Sequence, residues 1–215
     1  FQKVNFIIGP ACGSPQEAIV PLLKDTEVLA VVPSAASRDL FEKSGGYFFN
    51  VQYSLEEESK FIAEKFSERG YDKVAIVSYG NAFSATHVIS FKNNFEGEIA
   101  VESVLLDDNA NLLPELTKIK NAGIEALYAP DISFFFAGGM AKMKQLSLDI
   151  PVFTTYVAEL PAVRTLVEGV LYSFPSGLSG SEGAVFNLSR EAAELIMQAT
   201  QKCSNDTSCV KSELN

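Results

Sequence analysis

Short apolar runs alternate along the chain with longer stretches of helical period. The runs predict strands over residues 4–8, 28–32, 47–51, 74–78, 99–104, 126–129, 152–155 and 169–173. They are rich in Val, Ile, Leu, Phe and Tyr and lack strict polar alternation. Such runs suit strands covered on both faces, as in a parallel sheet. The stretches between them carry helix punctuation. Ser14-Pro15-Gln16-Glu17 has the form of a capping box with Pro at the first helical position, and Ser54-Leu55-Glu56-Glu57 repeats the box. Gly70 stands where the second of these helices needs its C-terminal cap. Ser84 is expected to cap a further helix that stops before Gly97, and Lys118 to Gly123 closes another. Residues 133–145 and 187–202 each read as one helix. Strand then helix, repeated, means βαβ units with right-handed crossovers. The expected fold class is therefore α/β, doubly wound around parallel sheets.

Composition narrows what such a fold can do. The chain has 215 residues, 47% hydrophobic and 20% charged, and a net charge of −10 from 17 basic and 27 acidic side chains. That balance repels phosphate backbones and anionic lipid, which argues against nucleic acid as a partner. The longest uncharged apolar stretch, around 134–141, is far too short to span a bilayer, so no direct membrane insertion is expected. One histidine, His87, and three cysteines leave little for clustered metal sites or histidine proton relays. Neither a metal nor a cofactor is expected. Domain boundaries are expected near 50–54, where a strand runs into a fresh capping box, and in the Pro/Gly/Ser-rich stretch 175–183.

The candidate chemistry lies where strands hand over to loops. The first strand ends in Ile7-Ile8-Gly9-Pro10-Ala11-Cys12-Gly13-Ser14 and delivers a helix N-terminus, whose free N–H groups suit a carboxylate. A tight strand-to-helix turn is the plainer reading. The second strand ends in Pro33-Ser34-Ala35-Ala36-Ser37, where small residues let backbone approach a ligand and serines offer hydroxyls. A short Ser-capped turn has the same composition. Ligands of open α/β sheets sit beyond the carboxyl ends of strands, which makes these two loops a plausible half-site. Tyr79, Phe83, Asp131 and Tyr156 follow later strands and line either a pocket or the core. His87 lies within a helix without a cysteine or carboxylate at ligand spacing, and Phe134-Phe135-Phe136 reads as core. There is no nucleophile elbow, no phosphate-binding glycine loop and no base beside a nucleophile, so no enzyme is expected. Asp107-Asp108 reads as a solvated turn. Cys203 and Cys209 bracket a short polar loop that can close as a disulfide in an oxidising compartment, leaving Cys12 odd.

Phe6-Ile7-Ile8-Gly9-Pro10-Ala11-Cys12, Val32-Pro33-Ser34-Ala35-Ala36-Ser37, the strand over 47–51, Lys73-Val74-Ala75-Ile76-Val77, Leu116-Thr117-Lys118-Ile119-Lys120-Asn121-Ala122-Gly123, Val152-Phe153-Thr154-Thr155 and Glu168-Gly169-Val170-Leu171 follow one another over residues 1–174. In order and spacing these motifs resemble the type I periplasmic binding proteins, particularly the branched-chain amino-acid-binding branch that serves ABC importers. The resemblance implies two doubly wound lobes joined by a hinge, with a small organic ligand captured in the cleft by lobe closure. It implies that 1–50 belong to an incomplete first lobe, 51–174 form the second, and 175–215 connect and return to the first. It also implies that the first strand and helix and the closing strands are missing, and that Cys12 pairs with an upstream cysteine. Gly13 and Ser14 match the loop that holds the ligand carboxylate, and Ser34, Ala35 and Ala36 match the second loop. Phe83 and either Asp131 or its neighbour Ile132 match further pocket positions. Tyr156 stands near where amino-acid binders place an acid for the ligand amine, and an ammonium buried without one costs several kcal/mol. A small carboxylate or an aromatic ligand is therefore expected in preference to a standard branched-chain amino acid, with Asp131 as the alternative partner for an amine. The implied partner is an ABC transporter permease, and the implied location is periplasmic or extracytoplasmic, with a lipid anchor compatible. A ligand-sensing receptor or regulator domain of the same fold is the alternative function.

Overall fold

The computed structural model describes residues 4–106, 111–174 and 184–214. Asp107-Asp108 and the stretch 175–183 lie outside the described residues. In chain order the elements are β1 (Phe6–Ile8), α1 (Gly13–Thr26), β2 (Leu29–Val32), α2 (Arg38–Lys43), β3 (Phe48–Asn50), α3 (Leu55–Glu68), β4 (Lys73–Tyr79), α4 (Ala82–Asn94) and β5 (Glu98–Leu105). They continue with α5 (Leu113–Asn121), β6 (Ala126–Tyr128), α6 (Ser133–Phe136), α7 (Gly139–Gln145), β7 (Val152–Thr154), a 3-10 turn (Tyr156–Glu159), β8 (Leu171–Tyr172), α8 (Ala184–Cys203) and α9 (Thr207–Leu214). The chain divides into two compact units, Phe1–Leu55 with Gly177–Asn215, and Glu56–Ser176.

The first unit is built on a parallel sheet of order β1-β2-β3. Its central strand is buried at every position, because alternate side chains feed two different cores. Ala30 and Val32 face Val20 and Leu23 of α1 and Leu40 of α2. Leu29 and Val31 face the opposite layer, made by α8 and α9. Leu188, Ala192, Ile196, Ala199 and Cys203 recur on α8 at three- and four-residue steps and are all buried. The Cys203–Cys209 disulfide joins the end of α8 to α9. Lys211 of α9 donates to the Gly45 carbonyl at 2.7 Å and lies 4.0 Å over the Tyr47 ring, tying α9 to the loop before β3.

The second unit is a five-stranded parallel sheet of order β5-β4-β6-β7-β8. The chain winds outward from β4 to β5, then crosses back to β6, so the topological switch falls between β4 and β6. Along β4, Val74 and Ile76 join Ile62, Phe66, Phe91 and Phe153 on one side. Ala75 and Val77 join Leu116, Leu127, Phe134 and Val163 on the other. The uninterrupted apolar run that predicted a two-sided strand thus has that burial.

Three local expectations are corrected. The helix expected over 133–145 is two helices, because Gly138 sits at φ +73° between them and Gly139 lies against the Phe134 ring, where a Cβ would come within 2.5 Å of ring carbons. Ser14 is no cap: α1 begins at Gly13 with Cys12 as its N-cap, and no side chain caps it. Ser84 does not cap α4 either; Asn81 does, its side-chain oxygen accepting the Ser84 N–H at 2.8 Å. Phe134 and Phe135 are core as expected, whereas Phe136 is 52% exposed.

Candidate functional site

In the first unit the candidate residues gather at the carboxyl ends of β1 and β2. The α1 ladder opens with the Gln16 N–H to the Cys12 carbonyl at 3.1 Å, which leaves the Gly13 and Ser14 N–H groups outside it. Ser14 is exposed, and Ser34, Ala35 and Ala36 are buried. Ala36 forms an isolated parallel bridge with Ser54. Gln16, an unassigned position between Ser14 and Glu17 of the expected capping box, turns inward and is buried. Its Nε2 donates to the Pro10 carbonyl at 3.1 Å and to Ser34 Oγ at 2.9 Å, joining the two loops. Cys12 is an exposed free thiol.

In the second unit Tyr79, Phe83 and Asp131 lie at the carboxyl ends of β4 and β6, at the switch point where open α/β sheets bind ligands. Asp131 is buried and held by three donors: Asn81 Nδ2 at 2.8 Å, Ser84 Oγ at 3.0 Å and the Ser133 N–H at 2.8 Å. Phe83 is half-buried, its ring 4.5 Å from the His87 ring and 6.4 Å from that of Tyr156, both edge-on. Tyr79 and Tyr156 are buried.

Beneath these residues is a buried polar cluster that the sequence reading missed. Glu58 of α3 is buried; its Oε1 accepts the Tyr156 N–H at 2.9 Å and the Ser173 hydroxyl. Its Oε2 lies 3.7 Å from Nε2 of His87, which is fully buried. Ser59 Oγ and the Tyr128 hydroxyl reach His87 Nδ1 at 2.6 and 3.3 Å. Nδ1 can accept from one of these hydroxyls, and in that tautomer the ring proton on Nε2 would face Glu58 across 3.7 Å. Burial pushes the His87 pKa down to about 3, against a smaller upward pull from Asp131. Burial likewise raises the Tyr128 phenol well above 10.0, with the Glu58 charge adding to it. The signal for this cluster was present in the sequence: Leu55, Glu58, Ser59, Ile62, Ala63 and Phe66 recur at helical spacing and are buried together.

Among the described residues no group of three metal-ligating side chains occurs, and no helix is long and apolar enough to cross a membrane. A groove of about 800 Å³ in the second unit is lined by Met140, Met143, Leu148 and Leu166 among others, and none of the candidate residues borders it.

No protein-family model and no curated protein matches the sequence. Solved structures do match, and the fold is that of the type I periplasmic binding proteins. One is the branched-chain amino acid transporter substrate-binding protein LivJ from Streptococcus pneumoniae in complex with isoleucine, at TM-score 0.83 and 19% identity, covering 99% of this chain and 68% of that one. Another is the leucine-binding protein LivK from Thermotoga maritima, at TM-score 0.86 and 16% identity, with the same 99% and 68% coverage. A third is a solute-binding protein of an ABC transporter from Rhodopseudomonas palustris in complex with p-hydroxybenzoic acid, at TM-score 0.80 and 20% identity, covering 97% and 65%. The chain thus spans about two thirds of the length of these structures.

Proposed function

We propose that the chain is the main part of an extracytoplasmic solute-binding protein that captures a small organic ligand for an ABC importer. It acts as a binder and catalyses nothing. The observation that carries this reading is the placement of Tyr79, Phe83 and Asp131 at the switch point of a sheet whose fold is shared with ligand-bound transport proteins. Gly13, Ser14, Ser34, Ala35 and Ala36 supply backbone and hydroxyl donors for a ligand acceptor group. Phe83 and Tyr156 supply aromatic surface. Three donors already occupy Asp131, so it is a poor partner for a ligand ammonium. This favours an aliphatic or aromatic carboxylate over an α-amino acid. The disulfide supports an oxidising location, and the partner under this reading is an ABC permease.

A thermal-shift panel of amino acids, aliphatic and aromatic carboxylates, amides and sugars tests it. A ligand at about 100 times its Kd adds about 2.7 kcal/mol and raises Tm visibly. A hit among carboxylates supports the reading. A hit only among α-amino acids overturns the ligand class, and no hit overturns the function. Phe83→Ala or Tyr156→Ala is expected to weaken the hit at least tenfold; unchanged affinity in both would sink the site assignment.

A further inference from the structure

We propose that Gln16 is a positioning residue that forces the Ser34 hydroxyl to act as a donor, so that the first unit selects ligands by an acceptor group. This rests on the solute-binding reading above and identifies what that site reads.

The argument is one of hydrogen-bond direction. The Pro10 carbonyl can only accept, so the Gln16 side-chain atom 3.1 Å from it is the NH₂ group and not the amide oxygen. The same nitrogen lies 2.9 Å from Ser34 Oγ. An amide nitrogen has no lone pair to offer, so its second N–H donates and Ser34 Oγ accepts. The Ser34 proton must then point elsewhere. Ser34 is 5% exposed, and among the described residues no acceptor for that proton is found. A buried hydroxyl proton without an acceptor costs free energy until something supplies one. A ligand carboxylate at the loops after β1 and β2 would supply it and still accept from the Gly13 and Ser14 N–H groups, whereas an amide has one acceptor oxygen and would turn its NH₂ on one of those donors. Gln16 is itself 1% exposed, so it acts through Ser34 without touching the ligand. A binding site built to satisfy one hydrogen-bond pattern rejects the analogue that lacks it more strongly than an apolar site can.

Titration calorimetry with matched pairs tests this: 4-hydroxybenzoate against 4-hydroxybenzamide, and L-isoleucine against L-isoleucinamide. The wild-type chain is expected to bind the acid of at least one pair tenfold or more tighter than its amide. In Gln16→Leu the Ser34 hydroxyl is free to rotate, and the acid-to-amide ratio is expected to fall at least fivefold. In Gln16→Glu a carboxylate captures the Ser34 proton, and acid binding is expected to vanish. Ser34→Ala should lose the same ratio as Gln16→Leu, and the double variant no more than either alone. A purely structural role for Gln16 would weaken acid and amide equally and leave the ratio intact; that result, or additive losses in the double variant, overturns the proposal. Melting curves of each variant confirm that it is folded. Amide binding tighter than acid in the wild type overturns the inference and leaves the solute-binding function standing. Binding of none of the four, with no hit in the wider panel, overturns both.

Discussion

The two units solve the same architectural problem with different chemistry. Each is a parallel sheet with helices on both faces, and each places its candidate residues at the carboxyl ends of its strands. The first unit arms those ends with backbone N–H groups, small residues and a hydroxyl set by Gln16, without a buried ionisable side chain among them. The second arms them with aromatic rings and rests them on a buried carboxylate, a neutral histidine and a phenol. The contrast is one of chemistry: hydrogen-bond donors at the strand ends of the first unit, aromatic surface over a buried polar cluster at those of the second. It also means that the two units respond differently to mutation, reductant and pH.

Core size gives the largest effect. Phe66 is fully buried and meets the rings of Tyr71, Phe91, Phe95, Tyr128 and Phe153 at centroid distances of 4.3 to 6.3 Å. Phe66→Ala is expected to destabilise the second unit by about 4 kcal/mol, read from denaturant unfolding. A loss below about 1 kcal/mol would mean that this aromatic cluster is not the core it resembles.

The disulfide belongs to the first unit alone. Cys203 and Cys209 are six residues apart, and closing so short a loop stabilises by about 2.4 kcal/mol in the chain-entropy picture. Reductant, or Cys203→Ser with Cys209→Ser, should lower the stability of the first unit by about that much. The Phe66→Ala loss in the second unit should be the same with and without reductant. Coupling between the two losses would mean that the units do not respond separately to reductant and core truncation.

Acid acts on the second unit through His87. Its folded pKa of about 3 lies below the ordinary 6.5, so between these values the unfolded chain holds a proton that the folded chain lacks. Stability therefore rises with pH across this window, is complete above about 6.5, and falls as pH drops toward 3. At pH 5 the deficit relative to pH 7 is about 2 kcal/mol. His87→Gln should flatten the slope of stability between pH 5 and 7 by that amount. An unchanged slope would show that His87 is protonated in the fold, paired with Glu58.

How much of this was legible in the sequence follows from the range of each interaction. The strands were legible because two-sided burial leaves an uninterrupted apolar run, as along β2 and β4. The loops at strand ends were legible because Gly13, Ser34 and Asp131 follow those runs directly. The caps expected at Ser14 and Ser84 failed because spacing alone cannot tell where a polar side chain turns, whereas Gly70 stands at φ +74° just after α3, where its cap was expected. Ser84 is drawn inward by Asp131, 47 residues away, and Gln16, inside the box expected at Ser14, turns to Ser34, 18 residues away. The same range hides the Glu58 cluster, whose carboxylate meets Tyr156 and Ser173 at separations of 98 and 115 residues. The helical period of α3 marks Glu58 and Ser59 as inward-facing but gives no partner for them.

The smallest expected effect is the most informative about the second unit's candidate residues. Asn81 does two things: its oxygen caps α4 at Ser84, and its nitrogen donates to Asp131 at 2.8 Å. Asn81→Ala loses both and should cost about 1 kcal/mol or somewhat more. Asn81→Ser keeps a capping oxygen but cannot reach Asp131 with an N–H, so most of that stability should return. Both variants leave Asp131 one donor short. If Asp131 is closed to ligand amines because its donors saturate it, both variants should gain affinity for L-isoleucine relative to 4-hydroxybenzoate. If instead the gain follows stability, appearing in Asn81→Ala and not in Asn81→Ser, the helix end and not the carboxylate governs ligand choice. No gain in either variant would show that the donors on Asp131 do not govern selection against amines.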